Sequence, residues 1–180
     1  YIGFRGLASH GATLGIMIGI YAYQRTYKFK PLLWILDRLT IPVAIGGFLV
    51  RTGNFFNSEI VGKYTGSNFG VVFRNRGETL PRYPAQMYEA FGYLILFFLL
   101  RKLYNTNLRD HKGFLLGIFF IGLFTIRFFV EFIKESQGGF ESVMPMFSTG
   151  QWLSIPFIIL GLGLLILSLG KKRAKQNSHE

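Results

Sequence analysis

Residues Phe114–Ile133 read FLLGIFFIGLFTIRFFVEFI, and how this stretch is interpreted decides the fold. Only Arg127 and Glu131 carry charge in it. About 20 apolar residues at about 1.5 Å rise each cross the roughly 30 Å hydrocarbon core of a bilayer. The apolar positions do not alternate with polar ones, so the run does not read as a strand of a membrane barrel. A transmembrane helix is the remaining reading.

Working outward, four more apolar runs appear, at residues 7–23, 32–50, 85–100 and 152–169. The chain therefore reads as an all-α polytopic membrane protein with about five transmembrane helices. Gly11, Gly15 and Gly19 form a small-xxx-small ladder in the first run, and this predicts close approach of a neighbouring helix. Bulk composition agrees. Of 180 residues, 50% are hydrophobic and 16% charged, against roughly 25% charged in ordinary soluble domains. The net charge of +11 lies mostly between the apolar runs, which suits anionic lipid headgroups and gives no basic-aromatic face for nucleic acid. With no cysteine, thiolate nucleophiles, disulfides and Cys metal sites are excluded. The histidines, His10, His111 and His179, lack ligand spacing, so no metal is expected.

Loop charge sets the expected orientation. Arg25, Lys28 and Lys30, then Arg101, Lys102, Arg109 and Lys112, then Lys171, Lys172, Arg173 and Lys175 fall in alternate connections. The positive-inside rule makes their side cytoplasmic, with the C-terminus. The opposite side receives the N-terminus, residues 51–84 as a small extracytoplasmic cap, and the loop 134–151. The chain opens on Tyr1 with no signal peptide evident and reads as one transmembrane catalytic domain, 1–180, lacking a natural N-terminal portion.

This topology gathers polar residues at one leaflet. His10 begins the first span, and Arg51, Asn54 and Glu59 end the second. Gln86, Tyr88 and Glu89 open the third, and Arg127 and Glu131 lie late in the fourth. Charge inside a membrane is costly and defaults to a functional hypothesis. Two arginines on one side suit a phosphate, because guanidinium grips its oxygens as a two-pronged fork. Simpler readings stand beside these: a structural Arg127–Glu131 pair at helical spacing, a snorkelling Arg51, and a His10 that only caps its helix. Asp37 and Arg38, nearer the cytoplasmic end, read as a local pair. Trp34 and Trp152 fit an interfacial aromatic belt.

The motif Arg51-Thr52-Gly53-Asn54-Phe55-Phe56-Asn57-Ser58-Glu59-Ile60-Val61-Gly62 resembles the R-x-G-N-F-x-N-x-E-x-x-G signature of the prolipoprotein diacylglyceryl transferases. Four further segments agree in order: Arg5 to Gly11, Pro81 to Glu89, Arg127 to Phe132, and Gly150 to Ser154. Tyr83 and Leu123 depart from the family's usual His and Tyr. The resemblance implies seven spans, of which five are present. It also implies transfer of diacylglyceryl from phosphatidylglycerol to the lipobox cysteine of a prolipoprotein signal peptide, with release of glycerol phosphate. The implied setting is the bacterial inner membrane, with the active site toward the outer leaflet among membrane lipids. No metal or organic cofactor is implied. His10, Arg51, Arg127 and Glu131 are the implied catalytic residues. Arg51, Asn54, Glu59, Gly62, Gln86, Tyr88 and Arg127 are implied to bind substrate, with Glu59 and Glu131 orienting the arginines. The alternative is a phospholipid transporter or flippase that binds anionic headgroups.

Overall fold

The computed structural model describes residues 9–27, 31–135 and 147–176, with side chains placed in 15–27, 31–135 and 147–170. Among the described residues five α-helices form: α1 (Ser9–Thr26), α2 (Leu32–Phe56), α3 (Ala85–Tyr104), α4 (Phe114–Val130) and α5 (Thr149–Gln176). Among the described residues extended pairing is limited to isolated bridges. Leu32–Phe56, Phe114–Ile133 and Thr149–Gly170 are long and apolar enough to cross a membrane. Helix α1 is shorter, at 18 residues, and α3 carries polar side chains at both ends. The surface of the bundle is apolar, with Ile95 and Ile166 about 70% exposed. Only a lipid environment accommodates such a surface, and the chain is a polytopic membrane protein.

Helices in lipid associate by packing, since lipid tails are as apolar as leucine. The tightest crossing joins α4 to α5. A Cβ on Gly117 would lie 2.9 Å from the Gly161 carbonyl, and one on Gly161 would lie 2.8 Å from that of Gly117. On the α3–α4 face, Gly92 accommodates Ile126 and Gly122 accommodates Leu96. Ala44, Leu96, Leu100, Phe114, Leu115 and Phe119 form the core between α2, α3 and α4. The expected ladder on α1 behaves differently. A Cβ added at Gly15 or Gly19 would meet nothing within 4 Å among the described residues, and Gly11 lies outside the described side chains. The spacing was present, but the helix contacts fall on glycines of α4 and α5 that form no such ladder.

Asp37 and Arg38 also part company. The Asp37 carboxylate accepts from the Gly113 amide at 2.7 Å and the Leu116 amide at 2.9 Å, so it caps α4 from across the bundle. Gly113 has φ of +87°, which an L side chain adopts only under strain. Arg38 stacks on the Trp34 ring at 3.4 Å and donates to the Trp34 carbonyl. Helix-terminal amides are strong donors, and they win the carboxylate over its sequence neighbour.

Between α2 and α3, residues 57–84 form an irregular cap with one 3₁₀ turn, Arg74–Arg76. Backbone hydrogen bonds lace three extended pieces together. Gly62 donates to Tyr83, Tyr83 to Lys63, Lys63 to Ile133, and Glu135 to Val61. Gly62 is required here: a Cβ would strike the carbonyls of Tyr83 and Ile133.

Candidate functional site

The end of α2, the start of α3 and the end of α4 meet beneath this cap. Arg51 stands on the last turns of α2, and its Nε lies 2.7 Å from Glu89 Oε2. Glu89, one turn into α3, is 1% exposed. Arg51 also donates to Asn54 Oδ1 at 3.5 Å, and Asn54 Nδ2 donates to Glu59 Oε2 at 2.9 Å. Gln86 Nε2 donates to the Glu59 backbone carbonyl at 2.6 Å, which ties the loop after α2 to α3.

The other Glu89 oxygen lies 3.6 Å from Lys134 Nζ, which stands 3.5 Å from Glu131 Oε2. A chain of charge therefore runs Arg51–Glu89–Lys134–Glu131. Tyr93, one turn beyond Glu89, is buried; its phenol interacts with Arg51 and feels the charge of Arg127. Among the described residues Arg127 forms no ion pair with a carboxylate. The start of α5 closes against the same end. Gly150 presents no side chain to Glu131, whose carboxyl would sit about 2.5 Å from a Cβ there. Gln151 donates to the Phe128 carbonyl, and Ser154 donates to Gly150.

The residues singled out from sequence thus divide. Arg51, Asn54, Glu59 and Gln86 join one hydrogen-bonded group, and Glu131 reaches it through Lys134. Arg127 stands one turn before Glu131 on α4, and among the described residues no hydrogen bond or ion pair joins it to the group. The orienting carboxylates differ from expectation: Arg51 is held by Glu89, Glu59 holds Asn54, and Glu131 meets Lys134. The structural Arg127–Glu131 pair does not form, because Glu131 lies in a 3₁₀ turn beyond the end of α4. Tyr88 is 38% exposed on the outside of α3, and Gly62 is packed between backbone carbonyls. The His10 backbone belongs to the first turn of α1, and its side chain lies outside those described. His111 sits beside Phe114 at the other end of the bundle.

Tyr93 and Lys134 are functional candidates that sequence reading left off the site, and Glu89 was gathered at the same leaflet without a role. The signal was helical spacing: Tyr93 is four residues after Glu89, and Lys134 three after Glu131.

Above the cluster, the cap has its own network. Arg82 pairs with Glu78 at 2.6 Å and Glu135 at 3.0 Å, and Arg76 pairs with the same two carboxylates. Burial works against the Glu78 charge, but hydrogen bonds from Arg82 and then Arg76 outweigh it and hold this carboxyl below its usual range.

The family model described as prolipoprotein diacylglyceryl transferase matches residues 1–167. A phosphatidylglycerol–prolipoprotein diacylglyceryl transferase of Tolumonas auensis is 44% identical over 93% of this chain and 64% of its own length. One from Bacteroides fragilis is 42% identical over 97% of the chain and 62% of its own. One from Chloroherpeton thalassium is 40% identical over 96% and 64%. The chain spans under two thirds of the length of these relatives.

Proposed function

The chain belongs to the prolipoprotein diacylglyceryl transferase family, and from that premise we propose that it serves transfer of diacylglyceryl from phosphatidylglycerol to a prolipoprotein cysteine. The observation that carries this reading is Arg127. It is a guanidinium in a membrane helix, without a carboxylate partner among the described residues, beside a group in which Arg51 is already fixed. An intramembrane cation with no carboxylate beside it among the described residues suits an anionic ligand, and a lipid phosphate supplies one. The transferase names of the relatives favour transfer over simple transport of headgroups.

The reaction makes a carbon–sulfur bond and breaks a carbon–oxygen bond. The acceptor thiol loses its proton to a base, and the thiolate attacks the glyceryl carbon bonded to the phosphate oxygen. Glycerol phosphate leaves with the electron pair of that bond and so gains negative charge. Arg51 and Arg127 stabilise it in a site of low dielectric, where fixed charges act strongly. Glu89 and Asn54 fix the Arg51 fork before substrate arrives. Asn54, Glu59 and Gln86 offer donors and acceptors for the glycerol hydroxyls. His10 is the proposed base, since a thiol with a pKa near ~8.5 is mostly protonated at neutral pH. The group lies toward the outer leaflet of the bacterial inner membrane, with the cap outside and Lys171 to Lys175 in the cytoplasm.

The test is transfer from phosphatidylglycerol to a lipobox peptide by full-length enzyme, with a pH–rate profile of His10→Gln. The variant should be slower by roughly 10²–10⁴-fold at neutral pH, the usual worth of a general base. It should recover partly as pH approaches the thiol's own pKa. Near-normal turnover at pH 7 in a stable His10→Gln protein would remove His10 as the base. Absence of transfer by the wild-type enzyme would overturn the reading as a whole.

A further inference from the structure

Arg82 is 4% exposed, yet it lies in the cap and touches none of the charged side chains of the cluster below. Its guanidinium is held on two nitrogens and one face. Nε meets Glu78 at 2.6 Å, Nη1 meets Glu135 at 3.0 Å and the Gly62 carbonyl at 3.0 Å, and the plane lies 3.7 Å from the centre of the Tyr64 ring. Two of these partners, Gly62 and Glu135, belong to the extended pieces that pair beside Lys134.

The backbone geometry converts this into a mechanical link. Lys134 is extended, with φ of −82° and ψ of 144°. Successive side chains of an extended segment point to opposite faces. Lys134 accordingly reaches down to Glu89 and Glu131, while Glu135 reaches up to Arg82 and Arg76. The segment is clamped against residues 61–63 by the Lys63 amide on Ile133 at 2.8 Å and the Glu135 amide on Val61 at 3.2 Å. Lys63 Nζ adds a bond to the Phe132 carbonyl at 3.0 Å. Arg82 holds both halves of that clamp. Releasing it frees Lys134 to withdraw, and Glu89 then loses the second cation that shares it with Arg51.

We propose that Arg82 is a positioning residue for the transfer site: by tying Gly62 to Glu135 it fixes Lys134 between Glu89 and Glu131, and through Glu89 the aim of Arg51. The inference rests on the transferase reading for its functional consequence, but its structural part stands separately. Arg82 suits this task because its own side chain is buried, although Glu135 and Arg76 are partly exposed, and removing one partner of a buried arginine is strongly destabilising.

Two measurements on the full-length protein in nanodiscs test it. The first is hydrogen exchange, which needs no activity. Arg82→Gln should speed exchange of the Lys63 and Glu135 amides by roughly tenfold or more, and leave the α4–α5 crossing at its wild-type rate. The milder Glu135→Gln cuts the same link from the other side and should speed the same amides. The second is a double-mutant cycle in the transfer assay. Arg82→Gln should lower kcat by roughly tenfold in the wild-type background and by less than about twofold in a Lys134→Met background, because both changes break one connection. Arg82→Lys should retain more activity than Arg82→Gln. Unchanged exchange at Lys63 and Glu135 in both variants would overturn the link. Losses that multiply in the double mutant would overturn its route through Lys134 and leave Arg82 a cap-stabilising residue only. If wild-type protein transfers nothing, the transferase reading fails, and the exchange data still decide whether Arg82 holds the Lys134 segment.

Discussion

Two charged networks sit within one chain, and they are built on different principles. In the cap, Arg82 and Arg76 face Glu78 and Glu135, and every one of the four has opposite charge on it. In the cluster below, Glu89 is shared between Arg51 and Lys134, Glu131 has Lys134, and Arg127 has no carboxylate among the described residues. A saturated network has no capacity for a ligand and stiffens what it joins. One whose arginine has no carboxylate among the described residues fits the proposed role of receiving an anion. The difference teaches that counting charges identifies neither region. What separates them is which charge lacks its complement.

The sharpest way to break this comparison is Arg127→Lys. Lysine keeps the charge but not the fork, so turnover should fall by about 10²–10³-fold while the protein still inserts and folds. Wild-type turnover and lipid affinity in that variant would reduce Arg127 to an anchor. A smaller effect is expected at Gly150. Alanine there must displace the Glu131 carboxyl, and overpacking of this kind costs about 1–3 kcal/mol. Both Tm and kcat should fall in Gly150→Ala, and an unchanged kcat would detach Glu131 from the reaction.

The smallest effect belongs to the cap and depends on pH. Folding lowers the Glu78 pKa from its ordinary value of 4.5. Its contribution to stability is therefore fully present above that value and is lost as pH falls through the lower, folded one. Glu78→Gln should reduce Tm modestly at pH 7, and the gap from wild type should close in strong acid. Two melting curves suffice to check it, and a gap that widened toward low pH would contradict the ion-pair account.

Much of the fold was legible in the sequence because lipid imposes a simple rule. The run Phe114–Ile133 has one stable form in a bilayer, and its neighbours follow by length. The convergence of α2, α3 and α4 ends was legible for a related reason, since successive helices were read as running in opposite directions. Pairing within the site was less so. Arg51 chose Glu89, 38 positions away, over Glu59, which is nearer in sequence and binds Asn54 instead. Periodicity reports which face a residue occupies and says nothing of which partner on the opposite helix stands at the same depth. The α1 ladder has no partner among the described residues. Glycine spacing shows where a backbone could approach, but the contact needs a partner surface as flat, and Gly117 and Gly161 supply that to one another. Asp37 and Arg38 read as a pair only because adjacency in sequence was taken for adjacency in space.

That same aspartate bears on how the bundle is made. An aspartate at mid-span raises the cost of entering the membrane by about 2.5–3.5 kcal/mol, and less toward an end. The amides that satisfy Asp37 belong to Gly113 and Leu116, 76 and 79 residues further along the chain. During synthesis α2 therefore emerges with a carboxylate whose partners have not yet been translated. It gains its full reason to stay in lipid only when the beginning of α4 arrives beside it. The stability of α2 in the bilayer is thereby coupled to the arrival of α4, although its length and hydropathy suffice for a span on their own.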